Sequence, residues 1–271
     1  MTPPLDTRSL DLRRAIVGVL AHSRRGHVGA AFSLVEILRV LFDDFLRYDP
    51  TNPKSPERDR FILSKGHGCL ALYVLLAEKG FFPHEELARF CAFDGILGGH
   101  PDARKVPGVE TSTGSLGHGP AFGVGMALDA RIRKASHRVV VVVGDGECNE
   151  GSVWEAALLA GKHKLENYVV LVDYNHMQSY GPVDQVQPLE PFADKWRAFG
   201  FGCAEVDGHD VPALRAALTA LPIEPGKPSA LICHTVKGKG IPFAEQNADW
   251  HHKNKLTDDE LERLAAALAT P

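Results

Sequence analysis

The chain has 271 residues, 44% of them hydrophobic and 24% charged, the make-up of a folded domain and not of a disordered or collagen-like chain. Thirty basic against 34 acidic residues leave a formal charge of −4, without the basic excess that nucleic-acid binding demands. No run reaches the roughly 18 apolar residues of a membrane helix, residues 1–6 lack the order of a signal peptide, and five scattered cysteines without a CxxC pair read as reduced thiols of a cytoplasmic protein.

Apolar residues at helical spacing predict helices over residues 10–20 and 34–45. Between Tyr48 and Arg60, three prolines and six charged residues predict a surface loop. Phe61, Ile62 and Leu63 then lead into Ser64-Lys65-Gly66-His67-Gly68 and an apolar helix to about Lys79. Residues 94–119 are rich in glycine and carry no periodicity, and a long irregular stretch with histidines reads as functional. Five consecutive valines at 139–143 predict a strand buried on both faces. A helix over 151–164 and a second buried strand over 168–172 complete a parallel crossover unit. Further strands are expected at 202–206 and 230–235, with a helix over 211–221 between them. A last helix spans 256–268, with Thr257 and Asp258 available to cap it. This alternation predicts a single α/β domain over residues 1–271, a mostly parallel sheet with helices on both faces.

Open parallel sheets bind ligands beyond the carboxyl ends of their strands. There the sequence places Gly144-Asp145-Gly146-Glu147 after the first buried strand and Asp173-Tyr174-Asn175 after the second. If the strands are neighbours, Asp145 and Asn175 converge. A carboxylate and an amide oxygen suit Mg²⁺, whose remaining positions go to water and phosphate oxygens. Gly144 and Gly146 leave room for a diphosphate, and the following helix would aim its positive end at it. Gly-Asp-Gly alone is a common turn, so the pairing with Asn175 carries the reading. Neither a P-loop nor a Gly-x-Gly-x-x-Gly fingerprint is present in this run. His27, His67, His100 and His118 each adjoin glycine, where backbone and ligand can approach an imidazole that titrates near neutral pH. His22, His84, His137, His163 and His234 lack that setting and read as surface or strand residues.

Gly144-Asp145-Gly146 followed some 30 residues later by Asn175 resembles the thiamine diphosphate binding motif. Lys65-Gly66-His67-Gly68, Gly99-His100-Pro101, residues 107–117, residues 144–151, residues 178–181 and Trp250-His251 are similar, in order, to segments of transketolases. The likeness spans nearly the whole chain but only the N-terminal, diphosphate-binding half of a full transketolase. The chain therefore resembles the small subunit of a split transketolase.

That resemblance implies the thiamine diphosphate-binding fold and Mg²⁺ held by Asp145, the side-chain oxygen of Asn175 and the carbonyl of Met177. It implies diphosphate contacts at Gly144, Gly146 and Glu147, with His67, Gly114 and Leu116 also against the cofactor. His27, His67, His100 and His251 would face cofactor and substrate, and Glu150, with Glu155 as a weaker candidate, would carry a buried glutamate network between paired sites. The implied reaction moves a two-carbon ketol unit from a ketose to an aldose through a thiamine diphosphate enamine, the substrates being sugars or sugar phosphates. The implied partner is a C-terminal subunit with the pyrimidine-binding domain, its activating glutamate and the arginines and serine that hold a sugar phosphate, in an α₂β₂ assembly. Another thiamine-dependent synthase subunit and a non-catalytic cofactor-binding module are the alternatives. Here Gly114-Ser115-Leu116-Gly117-His118 stands where full-length transketolases have Gly-Pro-Leu-Gly-Gln, so His118 replaces a glutamine.

Overall fold

The computed structural model describes residues 5–269, so the first four residues of the N-terminal run fall outside it. Helix α1 (Thr7–Ser23) begins where the Asp6 carboxylate accepts the Ser9 N–H, and ends where Arg24 turns left-handed. Helices α2 (Val28–Ser33) and α3 (Val35–Val40) follow, and the chain then widens into a π turn over Leu41–Phe45. The regular helix expected over 34–45 therefore stops at Val40. In the widened turn Asp43 pairs with Arg8 and Lys79, and Asp44 with Arg215.

The remaining elements are β1 (Arg60–Leu63), α4 (Cys69–Glu78), α5 (His118–Ile132), β2 (Val139–Gly144), α6 (Gly151–Lys162) and β3 (Tyr168–Tyr174). Then come α7 (Val183–Val186), α8 (Phe192–Ala198), β4 (Gly202–Asp207), α9 (Val211–Thr219), β5 (Ser229–His234) and α10 (Asp258–Ala267). The strands form one sheet in the order β1-β2-β3-β5-β4, and every ladder is parallel. Successive strand residues point to opposite faces. Val140, Val142, Val169 and Leu171 pack with α1–α4, α9 and α10, whereas Val139, Val141, Val143 and Val170 pack with α5, α6 and α8. Covering both faces is what lets five valines follow one another, each worth roughly 1.5–3 kcal/mol when fully buried.

Helix α5 lies where no element was read from the sequence. Gly119, Pro120, Gly123 and Gly125 look like breakers, but proline is tolerated in a first helical turn. Gly123 is required by packing, since a Cβ there would lie 2.6 Å from Val141 and 2.8 Å from Tyr168. The loop expected over 48–60 is largely exposed but ends in a buried anchor. Asp59 accepts hydrogen bonds from Arg47 and Arg138, which tie the loop to the start of β2. Thr257 caps α10 in a reciprocal box with Glu260. Among the described residues no helix is long and apolar enough to cross a membrane.

Candidate active site

Strands β2 and β3 are neighbours, with Gly144 paired to Asp173 at their carboxyl ends. The chain turns sharply there. Asp145 enters a 3₁₀ turn over Gly146–Asn149, and its carboxylate accepts the Gly146 N–H at 2.7 Å and the His176 N–H at 2.5 Å. The positive end expected of the following helix is therefore displaced: α6 starts at Gly151, and the Gly146 N–H just beyond β2 is taken by Asp145 itself. Asn175 accepts the Met177 N–H on its side-chain oxygen at 3.1 Å. At Gly146 a Cβ would press within 2.8 Å of Gln178, whereas at Gly144 it would meet only Lys65 at ordinary contact distance.

The electrostatics of this corner are uneven. Asp173 is fully buried, and burial alone would raise its pKa; the Lys65 ammonium and hydrogen bonds from Lys65, Thr235 and Ser33 hold it below its ordinary value. Asp145 is also buried, yet among the described residues no cation lies within ion-pair distance of it. Burial, and then the nearby Asp173 carboxylate, push it up to about 7. Lys237, on the loop after β5, donates to the carbonyls of Met177 at 3.1 Å and Gln178 at 3.4 Å. Burial, followed by repulsion from Lys65, lowers the Lys237 ammonium to about 8. Glu147 turns inward, where its carboxylate accepts from Ser64 and from the Gly117 and Gly144 N–H groups. It thereby ties the glycine-rich loop before α5 to the end of β2.

Gly144, Asp145, Gly146, Glu147, Asn175 and Met177 all line one narrow cleft, and His67, Leu116 and His251 close it from the other side. His27 and His100 line a second, wider cleft of about 700 Å³ together with His252. The His27 ring joins the two. Its centroid is 5.4 Å from His67 and 5.6 Å from His251 on one side, and 5.6 Å from His100 and 4.3 Å from His252 on the other. Gly114 packs against His100 at φ +148°, where a Cβ would lie 3.1 Å from the ring. Glu150 does not join this group: it is exposed at the start of α6, beside Gly117, and Glu155 is exposed on the same helix. His118 is exposed too.

Burial, and then the neighbouring histidines, push His27 down to about 3. Burial, then Lys237, takes His251 to about 3 as well. The unfolded chain, with histidines near 6.5, takes up these protons first as pH falls. The stability His27 contributes is therefore present above pH 6.5 and lost between there and about pH 3. His27→Gln is expected to shrink the loss of stability between pH 7 and pH 4.5, measured by urea unfolding of the cofactor-free chain. An unchanged pH dependence would contradict a neutral His27.

Lys237, His252 and the role of Asp173 were not read from the sequence. The Lys237-Gly238-Lys239-Gly240 run held a signal for the first: a basic turn whose glycines sit at φ +82° and +91°. His252 follows His251 directly, but only the folded chain shows its ring stacked on His27.

Residues 6–270 match the family model described as "Transketolase, thiamine diphosphate binding domain". The chain belongs to the transketolase family. Over 92% of its length it is 40% identical to an apulose-4-phosphate transketolase subunit of Phocaeicola vulgatus, covering 88% of that protein. It is 42% identical over 90% of its length to the 6-deoxy-6-sulfo-D-fructose transketolase subunit SqwG of a Clostridium species, again covering 88%. Transketolase of Leishmania mexicana superposes on 99% of the chain with a TM-score of 0.90 at 29% identity. The chain spans 42% of that protein, and 38% of the transketolase of Rattus norvegicus, with which it is 38% identical. The parallel sheet and its flanking helices are thus the transketolase thiamine diphosphate-binding fold. The residues of this transketolase-family cleft fit a bound diphosphate: the side-chain nitrogen of Gln178 and Nδ1 of His251 are buried there without partners among the described residues.

Proposed function

We propose that the chain is the diphosphate-binding subunit of a two-component transketolase, which moves a two-carbon ketol unit from a ketose donor to an aldose acceptor. The observation that carries this reading is Asp145, a buried carboxylate with no cation within ion-pair distance among the described residues, which lines one cleft with Asn175 and Met177. Three oxygen donors of this kind suit Mg²⁺ bridging to a diphosphate. Lys65 and Lys237 add positive charge to the same cleft. Bound thiamine diphosphate supplies the nucleophilic carbon and electron sink that carbon–carbon cleavage beside a carbonyl needs. The chain's own residues hold the diphosphate end, exclude water with Leu116, and present neutral imidazoles. Neutral rings at His27 and His100 can take a proton from a donor hydroxyl and return one to the acceptor's oxygen.

Two features support a partner. The chain covers 88% of relatives that are themselves named as transketolase subunits, but only about two fifths of full-length transketolases. Phe122 and Ile132 on α5 and Leu158 on α6 are exposed apolar side chains, and the exposed Glu150 lies at the head of α6. An apolar face of that sort suits an interface, and a two-fold one would bury Glu150 beside its mate. We assign an α₂β₂ assembly with a C-terminal subunit on this basis, and place it in a reducing compartment because all five thiols are unpaired.

His100→Ala tests the catalytic half of the proposal. In the assembled enzyme, kcat is expected to fall about 100-fold, the usual scale for a lost general acid–base group, while thiamine diphosphate affinity changes less than about threefold. Intact turnover with lost cofactor would reassign His100 to the diphosphate.

A further inference from the structure

Arg13 of α1, Glu36 of α3 and His209 of the turn between β4 and α9 are at most 5% exposed, and none of them lines either cleft. Every N–H donor of the Arg13 guanidinium is engaged. Nη1 donates to Glu36 at 2.6 Å and to the Ser9 carbonyl at 3.2 Å, and Nη2 to Glu36 and the Phe32 carbonyl at 3.0 Å each. Nε donates to the Lys239 carbonyl at 2.8 Å. Glu36 also accepts from Nδ1 of His209 at 2.7 Å, and Nε2 of His209 accepts the Val236 N–H at 2.9 Å. A ring nitrogen that accepts carries no proton, so the His209 proton lies on Nδ1, facing Glu36. The two outward ends of this network therefore grip one turn, at Val236 and at Lys239. Between them the Gly238 N–H donates to the Gly29 carbonyl at 3.0 Å. The turn bends through Gly238 at φ +82° and Gly240 at φ +91°, and a Cβ at Gly240 would lie 3.2 Å from the Arg13 side chain.

We propose that Arg13, Glu36 and His209 are positioning residues for the diphosphate cleft, holding the turn over residues 236–240 so that Lys237 fixes the loop carrying Asn175 and Met177. The proposal rests on the transketolase reading and deepens it. Lys237 leaves this turn in the opposite direction to the network, past Gly29, and donates to the Met177 carbonyl at 3.1 Å and the Gln178 carbonyl at 3.4 Å. Gln246 adds a second tie, its side chain donating to the Asn175 carbonyl at 3.1 Å and its backbone N–H to the Lys237 carbonyl at 2.9 Å. Stability alone gives little reason for the charges, because desolvation offsets most of the attraction in a buried ion pair. Apolar side chains could fill the same space, but they could not bond a carbonyl and an N–H of one turn. Glycines leave such a turn conformationally free, so its place has to be set from outside. The tolerance is small: hydrogen bonds fail beyond about 3.5 Å, so a slip of roughly half an ångström takes the ammonium off both carbonyls.

Two variants at one position separate positioning from plain support. His209→Asn keeps a donor for Glu36 and loses the acceptor for Val236, whereas His209→Gln keeps an acceptor for Val236 and loses the bond to Glu36. Each gives up one hydrogen bond, so a purely structural role predicts similar behaviour in both. In the reconstituted enzyme with Mg²⁺, His209→Asn is expected to weaken thiamine diphosphate binding about tenfold, the scale of one lost hydrogen bond to a charged group. His209→Gln should stay within about twofold of wild type, and kcat at saturating cofactor should hold in both, the pattern of lost binding without lost chemistry. The cofactor-free full chain gives a second readout, limited trypsin digestion with mass analysis of cuts after Lys237 and Lys239. Those cuts should appear about fivefold faster in His209→Asn than in wild type or His209→Gln, since a released turn opens locally. Arg13→Met combined with Glu36→Leu removes both charges at once, an exchange that folds commonly tolerate. It should keep the urea midpoint while losing cofactor affinity and protection of the turn. Equal cofactor affinity in the two position-209 variants overturns the proposal, as does wild-type affinity in the paired variant. If the wild-type enzyme binds no thiamine diphosphate, the functional reading fails instead, and the trypsin cuts still decide whether the network sets the turn.

Discussion

Asp145→Ala is expected to lower thiamine diphosphate affinity of the assembled enzyme at least 100-fold in the presence of Mg²⁺, about 2.7 kcal/mol of binding free energy. The residue is buried, lacks a cationic partner among the described residues, and is held at about 7 by burial and by Asp173. A divalent cation held by Asp145 would remove both penalties at once and would offset the charge of the diphosphate. Of the proposed protein ligands alanine would leave only Asn175 and the Met177 carbonyl, too few for a cation that sheds water reluctantly. Asn175→Ala should act in the same direction but less completely, since it removes a neutral ligand. Calorimetric titration of Mg²⁺ and thiamine diphosphate checks both. Unchanged affinity in a folded, partnered Asp145→Ala protein would remove the metal assignment.

Lys65→Met is expected to cost roughly 3–5 kcal/mol of folding stability, the range for stripping one partner from a buried ion pair. Lys65 and Asp173 are both buried, and the Asp173 carboxylate accepts also from Thr235, just after β5, and from Ser33 of α2. Without the ammonium, the charge at Asp173 is stranded. Its protonation then becomes favourable, so the deficit should narrow as pH falls from 7 toward the ordinary carboxylate range. Adding Asp173→Asn to Lys65→Met should recover part of the loss for the same reason. Urea unfolding at pH 7 and pH 4 measures all three. A Lys65→Met protein within about 1 kcal/mol of wild type, well short of the buried-pair range, would mean that Asp173 does not depend on its partner.

The sequence carried the sheet most clearly where burial on both faces produced uninterrupted apolar runs, at Val139–Gly144 and Tyr168–Tyr174. Because these strands pair directly, Asp145 and Asn175 could be placed together from the sequence, and they share one cleft. Helix α5 escaped for the opposite reason. Its Gly123 serves close contact with Val141 and Tyr168, a tertiary requirement that local propensity reads as a breaker. Lys237 was missed because it arrives from beyond β5, 60 positions after Met177, and only the strand order β3-β5 brings it over that carbonyl. His27 and His100 were legible as glycine-flanked histidines. That His27 joins two clefts was not, since it depends on the turn after β1, the loop after α4 and the segment between β5 and α10 converging at one ring. Glu150 shows the remaining limit. Its expected burial needs a second copy of the chain, and within one chain it faces solvent.

The decisive measurement is ketol transfer by the purified chain before and after addition of the second subunit proposed for it, with mass analysis of every preparation. The chain alone should fold, bind thiamine diphosphate weakly and transfer no ketol unit. The partner should restore turnover and tighten cofactor binding together, because a ligand shared by two subunits links their assembly to its own affinity. Robust transfer by the chain alone, with no co-purified partner in the mass spectrum, would contradict a half-site completed by a second subunit.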